Sequence, residues 1–310
     1  LDKLGASYNA FTSYEYTGYY AKVDKDHFEK ALNLVSDIYL NQIFEPEEIE
    51  KEKGVIVEEL NMYEDMPQRK VVDKFYELLY GDQPAGWDVG GEKEIIRSLG
   101  RDHFVDYKKN HYLAGATTVV VSGAIDKDFA LTKVKEAFTN IQTGEKRGKL
   151  SVKEDQKNPE MLVIEKKLEQ THLMLGVRAY NLFDEKRYIV NVITDILGGG
   201  MSSRLWNTIR EEMGAAYYVR SAEDELSDTG FLAVHAGIEN SKFEKAVSAM
   251  LGELKKLKNE LVSEEELDKA KDHMIGSLML GLETSDSVAA YYGMQELLTK
   301  DLVKPEALAK

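Results

Sequence analysis

Two glutamates, Glu52 and Glu59, stand seven residues apart in the segment EKEKGVIVEEL and are the first candidates for chemistry in this sequence. We predict that the segment is helical from Pro46, because proline suits the first helical position and glutamates suit the first turn. At about 100° per residue, a spacing of seven leaves the two carboxylates roughly 20° apart on one helix face. What this face meets decides their role.

The two carboxylates have two interpretations. Acidic residues on helices are mostly solvated, and the pattern alone favours that interpretation for Glu52 and Glu59. The neighbouring segment GVIVEEL is nevertheless more apolar than a solvated helix usually is, since residues 55–57 and Leu60 leave little exposed arc. A buried role for at least one carboxylate therefore stays open, and a buried carboxylate needs a cation or hydrogen-bond donors.

Histidine, glycine and serine patterns indicate no other catalytic site. The six histidines are His27, His103, His111, His172, His235 and His273. No two of them are three or four residues apart, so no helix offers a local two-histidine metal site. Each histidine is therefore interpreted as a structural or surface residue. The segment LGGGMSS (197–203) lacks the lysine and spacing of a phosphate-binding loop, which favours a mobile helix break over a phosphate site. No GxSxG nucleophile elbow is present.

Composition limits the class of protein and its partners. The chain has 310 residues, of which 43% are apolar, enough for two domains with cores of their own. With 55 acidic against 40 basic residues the formal charge is −15, which disfavours nucleic acid and anionic membranes as partners. A membrane-spanning helix needs about 18 consecutive apolar residues, and the sequence contains no such run. The absence of cysteine excludes disulfides, Cys-ligated zinc and a cysteine nucleophile, and we expect a cytoplasmic protein.

The sequence contains an internal repeat. Four segments of the first half recur in the same order in the second half, with similar spacing. They are LGASYNAFTS (4–13) with MGAAYYVRSA (213–222), TGYYAKV (17–23) with TGFLAVHAGI (229–238), FEKA (28–31) with FEKA (243–246), and EEIEKEK (47–53) with EELDKAK (265–271). We infer two copies of one domain, an N-terminal domain at 1–145 and a C-terminal domain at 161–310, joined by a polar linker at 146–160.

Each copy has the same predicted order of elements. Alternating Tyr, Phe, Thr and Val predict a two-stranded hairpin, at 7–13 and 16–23 and again at 215–222 and 229–237. Long amphipathic helices follow at 26–41 and 46–64, and at 241–259 and 264–282, where Ser263 and Glu266 predict a capping box. The remaining predicted helices lie at 68–80, 101–111, beyond Asp126, 188–197 and 203–210, and the remaining strands at 117–123, 161–166 and 171–178. Strands grouped before helices indicate an α+β fold, with a largely antiparallel sheet packed against long helices in each domain.

The two copies differ at their outer ends. About 50 residues precede Met213 in the second copy beyond the linker, but only residues 1–3 precede the matching point in the first. The predicted strand at 117–123 has no counterpart before Lys310. We therefore expect the chain to begin and end inside its repeats, with the first domain truncated at its start and the second at its end.

These segments resemble the pitrilysin or insulinase family of zinc metallopeptidases, in its mitochondrial-processing-peptidase-like branch. LGASYNAFTSYEYTGYYAKV resembles the family's strand pair after the zinc helix, EKEKGVIVEEL its ligand helix, and LGGGMSSRLWNTIREEMGAAYYV the signature of its second domain. The family's HxxEH motif supplies two zinc-binding histidines and the glutamate that acts on the metal-bound water. Residues 1–310 lack that motif, which would fall in the segment expected before Leu1.

The resemblance implies roles at the metal and at the substrate. Glu59 matches the distant zinc ligand, and Glu52 matches an acidic residue that orients the site without binding the metal. Asn9, Ala10 and Phe11 match the edge strand that binds the substrate backbone by adding a strand.

The resemblance also implies a contribution from the second domain. Arg210 and Tyr217 match the pair that reaches the substrate backbone and the tetrahedral oxyanion. The alternatives are a helix-surface charge for Arg210 and an ordinary strand tyrosine for Tyr217.

The implied activity is zinc-assisted hydrolysis of peptides or unfolded proteins, with one Zn²⁺ per intact subunit. The chain as given is expected to be inactive and not to retain zinc, because one glutamate cannot hold a catalytic metal. The family's clamshell arrangement implies pairing of two-domain halves, so we expect a homodimer. The alternative is a non-catalytic structural or peptide-binding subunit of the same family, against which the presence of both Glu52 and Glu59 argues.

Overall fold

The computed structural model describes residues 1–144 and 146–308. The first copy of the predicted repeat begins with an antiparallel hairpin. Strands β1 (Ser7–Thr12) and β2 (Thr17–Lys22) pair over their whole length. The helices that follow are α1 (Phe28–Leu40), α2 (Pro46–Glu64), α3 (Pro67–Tyr80), α4 (Lys93–Ser98), α5 (Arg101–His111) and α6 (Lys127–Ala137). The prediction that a helix begins at Pro46 is confirmed.

The second copy contains a three-stranded antiparallel sheet in the order β3-β5-β4. Its strands are β3 (Gln170–Ala179), β4 (Ala216–Glu225) and β5 (Gly230–Glu239). Its helices are α7 (Arg187–Gly198), a π-helix (Trp206–Glu212), α8 (Phe243–Asn259), α9 (Glu264–Gly281), α10 (Ser285–Leu298) and α11 (Pro305–Leu308). The predicted α+β class is confirmed. None of the helices in the described ranges combines the length and hydropathy needed to cross a membrane.

The main core lies between one face of this sheet and the helices α7 and α8. Alternate residues of β5 point to that face, and Val234, Ala236 and Ile238 are buried there together with Leu197 of α7 and Met250 of α8. Burying each large side chain of this kind contributes about 1.5–3 kcal/mol. The central strand is therefore the most constrained element of the second copy.

The opposite face of the sheet is covered by α3, a helix of the first copy. Phe75 and Leu79 of α3 pack with Phe231 of β5, and the Phe75 and Phe231 rings lie edge to face with centroids 5.1 Å apart. The Tyr76 hydroxyl donates a hydrogen bond of 2.7 Å to the Asp224 carboxylate on β4. The two copies thus share a second core.

The polar segment predicted as a linker is held by both copies. The Lys149 ammonium lies 2.5 Å from the Glu15 carboxylate in the turn between β1 and β2, and it also pairs with Asp228 in the turn between β4 and β5. The Lys153 N–H donates a bond of 2.8 Å to the Gln83 side chain after α3. Residues 149–153 therefore tie the two hairpin turns and α3 together.

Two strand predictions are wrong. Residues 117–123 and 161–166 form no strand, because in the described ranges no partner strand lies beside them to complete a hydrogen-bonded ladder. Val120 packs instead against Gly293 of α10, a helix that the sequence analysis did not predict. The apolar side chains of 161–164 are exposed. High β propensity alone does not form a strand when the pairing partner is missing.

Candidate functional site

Glu52 and Glu59 lie on the exposed face of α2. A separate face of this helix, about 100° away, is buried through Ile49, Val57 and Leu60. Within residues 1–144 and 146–308 neither carboxylate makes a hydrogen bond or an ion pair with another side chain. The two carboxylates share one helix face, as the helical period predicts. Both are exposed to solvent, in agreement with the interpretation that acidic residues on a helix are solvated.

The described residues do not make a complete zinc site. In the part of the chain that the structure covers, no group of three or more His, Cys, Asp or Glu side chains could hold a metal ion. Glu59 offers a single unpaired carboxylate, and a zinc site requires three or four ligands. We therefore derive no catalytic step through a metal from these residues.

Asn9, Ala10 and Phe11 lie on β1, which in the described part of the chain pairs with β2 on one side and with no strand on the other. All three are exposed, and the Ala10 N–H is bound by the Asn9 side-chain oxygen at 2.8 Å rather than by a neighbouring strand. The second edge of β1 is therefore open, and Asn9 occupies a donor that an added strand would use.

Arg210 and Tyr217 lie on either side of the connection that leads from the π-helix into β4. The Arg210 guanidinium stacks on the Trp206 ring, with its Cζ 4.0 Å from the ring centroid. Tyr217 is the extra residue of a β-bulge, because Ala216 pairs with Ile238 and Tyr218 pairs with the next residue of β5. The bulge turns the Tyr217 side chain out of the sheet, where it is 72% exposed.

A polar cluster on the sheet was missed by the sequence analysis. The Tyr218 hydroxyl lies 2.9 Å from His172 Nδ1 and 3.0 Å from His235 Nε2, so it bridges strands β3, β4 and β5. Burial, with His172 and Arg220 nearby, lowers the pKa of His235 to about 4, and burial raises the pKa of Tyr218 to about 12. The Tyr218 hydroxyl thus joins the two histidine rings within the sheet, and the structural interpretation of the histidines stays a prediction.

One sequence signal could have indicated this cluster. Gly237 lies opposite both His172 and Tyr218 in the sheet, and a Cβ there would come within 2.5 Å of the Tyr218 ring. A glycine inside a β-branched strand marks such a close approach, but the sequence does not show which side chain needs the room.

The repeat shows that the second copy lacks both carboxylates of α2. Aligning EEIEKEK with EELDKAK places Ala270 of α9 at the position of Glu52 and Ser277 at the position of Glu59. At these two aligned positions, therefore, α2 carries a carboxylate and α9 does not.

Both halves of the chain match known peptidase families. Residues 1–92 match the family described as Insulinase (Peptidase family M16), and residues 98–274 match the one described as Peptidase M16 inactive domain. A Bacillus subtilis protein named Uncharacterized zinc protease YmxG is 34% identical over 299 residues, which are 96% of this chain and 72% of that protein. An Uncharacterized zinc protease of Rickettsia felis is 36% identical over 284 residues, which are 91% of this chain and 68% of that protein.

Two solved structures share the fold. The crystal structure of a protease from Helicobacter pylori superposes with a TM-score of 0.88 at 21% identity, covering 99% of this chain and 79% of that one. The peptidase M16 inactive domain from Pseudomonas fluorescens superposes with a TM-score of 0.82 at 19% identity, covering 99% of this chain and 77% of that one. At these identities the likeness concerns the fold alone.

Proposed function

This chain belongs to peptidase family M16, the insulinase family, and on that premise we propose that it is part of a zinc-dependent endopeptidase subunit in which Glu59 is a metal ligand. The family resemblance drawn from the sequence is confirmed, and the relatives carry the name zinc protease. The specific activity and the role of each residue are the proposal.

The open face of α2 carries the proposal. In the second copy the equivalent face of α9 packs against α7, and Ala270 on that face is 3% exposed. In the first copy Glu52 occupies the same position and is solvated, while Val55 beside it is 50% exposed. An apolar side chain next to two carboxylates on an otherwise open face suits a helix interface that has a polar centre.

We propose that a helix bearing HxxEH, which residues 1–310 do not contain, packs on this face as α7 packs on α9. The contribution of this chain is then the carboxylate of Glu59 as ligand and that of Glu52 as a hydrogen-bond acceptor for a ligand. Both carboxylates are free to serve, because no described side chain competes for them.

The substrate peptide is proposed to add to the open edge of β1. Backbone pairing at Asn9, Ala10 and Phe11 would displace the Asn9 side chain from the Ala10 N–H, at the loss of one exposed hydrogen bond. Recognition through the backbone supports broad sequence tolerance in the substrate.

Arg210 and Tyr217 are proposed to bind the substrate carbonyl as negative charge develops on it. The Trp206 ring stiffens the Arg210 side chain, and the bulge keeps the Tyr217 hydroxyl clear of the sheet. Donors held in position before the reaction stabilise an oxyanion without reorganising during it.

The direct test uses the protein expressed from its complete reading frame. Glu59→Gln is expected to remove stoichiometric zinc, measured by mass spectrometry of the purified protein, and hydrolysis of a casein-type peptide. Glu58→Gln is the matched control, because Glu58 is equally exposed but points about 100° away. Normal zinc content in Glu59→Gln rules the ligand assignment out, and a degenerate HxxEH in the complete frame favours the non-catalytic subunit instead.

We also propose that the subunit is a homodimer, since a chain that carries both Glu59 and the Arg210–Tyr217 pair supplies both kinds of residue to a shared chamber. Sedimentation of the complete protein is expected to give twice the subunit mass. A single monomeric species at micromolar concentration contradicts it.

A further inference from the structure

We propose that three side chains on one face of α9, Glu266, Lys269 and His273, are positioning residues that clamp the glycine-rich segment 197–203 and thereby set the direction of Arg210. The inference rests on the proposed function for its catalytic consequence. The clamp itself stands on contacts within the second copy.

The three residues share one helix face. Their spacings of three and four residues place them within an arc of roughly 60° on the side of α9 that packs against α7. Lys269 binds Ser202 within the glycine-rich segment, whereas His273 binds Asp195 just before it and Glu266 binds Arg204 just after it. The arrangement therefore holds the segment at both flanks and at one internal point from a single rigid element.

His273 holds the flank before the segment. Its Nδ1 lies 2.7 Å from Oδ1 of Asp195 in the last turn of α7, and the Asp195 side chain is largely buried. A Cβ at Gly199 would come within 2.3 Å of that same Asp195 oxygen, so the glycine leaves room for the carboxylate to reach His273. The glycines of this segment thus serve packing against the clamp, whereas the sequence alone favoured a mobile helix break.

Lys269 holds the glycine-rich segment itself. Its ammonium donates a hydrogen bond of 3.1 Å to the Ser202 carbonyl oxygen. Met201, the neighbouring residue at the apex, is 76% exposed. The backbone of the loop is thus tethered while its apex faces solvent.

Glu266 holds the flank after the segment. Its carboxylate accepts from both Nε and Nη2 of Arg204, at 2.7 Å and 2.5 Å, and the buried Glu253 of α8 lies 3.9 Å from the same guanidinium. The Arg204 hydrogen bonds lower the pKa of Glu266 below its ordinary value. Ser263 caps α9 by accepting a hydrogen bond from the Glu266 N–H, which is one of the two bonds of the predicted capping box. The second bond, from the Ser263 N–H to the Glu266 side chain, is replaced by the bonds of that carboxylate to Arg204.

The clamp reaches Arg210 through Trp206. Arg204 and Leu205 begin the helical turn that leads into the π-helix, and Trp206 carries the Arg210 guanidinium on its ring. Leu205 and Ile209 are fully buried and keep the helix axis in place. Losing a clamp contact is therefore expected to free the loop and the Trp206–Arg210 stack while the fold is retained.

Trp206 offers a direct readout. The chain has two tryptophans, so Trp87→Phe leaves Trp206 as the single fluorophore. In that background His273→Ala is expected to raise acrylamide quenching of Trp206 at least twofold, and His273→Gln, which keeps a donor for Asp195, is expected to restore the original value. Lys269→Met provides a second loosening variant. Lys271→Met is the matched control, since Lys271 is an exposed lysine of the same helix outside the clamp face.

Kinetics of the complete protein test the consequence for Arg210. His273→Ala is expected to lower kcat about 10- to 100-fold with KM within twofold, and His273→Gln is expected to recover most of kcat. Unchanged Trp206 quenching in both His273→Ala and Lys269→Met overturns the clamp. Increased quenching with unchanged kcat overturns the positioning of Arg210. A complete wild-type protein without peptidase activity overturns the proposed function, and the quenching measurement still decides the clamp.

Discussion

Helices α2 and α9 are equivalent in the predicted repeat, yet the position of the exposed Glu52 on α2 is taken on α9 by Ala270, which is 3% exposed. The face of α9 meets α7 and the glycine-rich segment through Glu266, Lys269 and His273. On α2, Glu52 and Glu59 are exposed, and neither pairs with another side chain in the described residues. Similar helical sequences thus acquire opposite roles from the element that lies beside them.

The two hairpins repeat the contrast. The same alignment that pairs Tyr8 with Tyr217 places one tyrosine in a regular ladder and the other in a bulge. Tyr8 donates its hydroxyl to Asp2 at 2.8 Å, whereas Tyr217 projects from the sheet. Among the described residues, a third strand joins the second hairpin and not the first, and β5 is buried because it lies between two neighbours.

The largest expected effect is on peptide hydrolysis, when each of two aligned residues, Glu59 and Ser277, is replaced by alanine. In the complete protein, Glu59→Ala should lower peptide hydrolysis by about a thousandfold or more, because a lost metal ligand removes the site. Ser277→Ala, the equivalent change on α9, should leave activity within twofold. Equal effects of the two substitutions would contradict the assignment of metal binding to the first copy.

The contrast in burial is tested by Ala270→Glu, which places on α9 the residue that α2 carries. A carboxylate at this buried position without a partner should destabilise the chain by about 3–5 kcal/mol in urea unfolding. Glu52→Ala should change stability by about 0.5 kcal/mol or less. If Ala270→Glu proves neutral, the face of α9 is not packed as described.

The two hairpins can be compared through Val234 and Lys22, which are equivalent in the alignment. Val234→Ala should cost about 2 kcal/mol, because the side chain is almost fully buried in the main core. Lys22→Ala removes an exposed ion pair with Asp286 and should cost about 0.5 kcal/mol. The same unfolding experiment measures both, and a larger cost for Lys22→Ala would reverse the comparison.

A pH dependence of stability confined to the second sheet also separates the two hairpins. The pKa of His235 is lowered from 6.5 to about 4 in the folded chain, so the unfolded chain binds a proton that the folded chain does not as the pH falls from 6.5 to 4. Stability is therefore full above pH 6.5 and decreases through that window. Tm should fall less between pH 7 and pH 5 in His235→Gln than in the wild type. Parallel curves would show that His235 does not contribute.

The local features of the chain were predictable because they depend on short spacings. Pro46 begins α2, the 3.6-residue period places Glu52 and Glu59 on one face, and the bounds of α5 agree with the prediction. The strands predicted at 117–123 and 161–166 failed, because a strand exists only when another lies beside it. A helix was predicted at 203–210, but its π-helical form over Trp206–Glu212 was not, and α10 was missed, because no local pattern distinguishes them.

Residue order and helical period in the sequence indicate the predicted repeat, the shared face of Glu52 and Glu59, and the family. Only the folded structure shows that α2 keeps these carboxylates in solvent, that a bulge turns Tyr217 outward, and that Glu266, Lys269 and His273 meet the glycine-rich segment and its flanks. Each of these depends on which element packs beside which, and that is set by contacts between residues far apart in the chain.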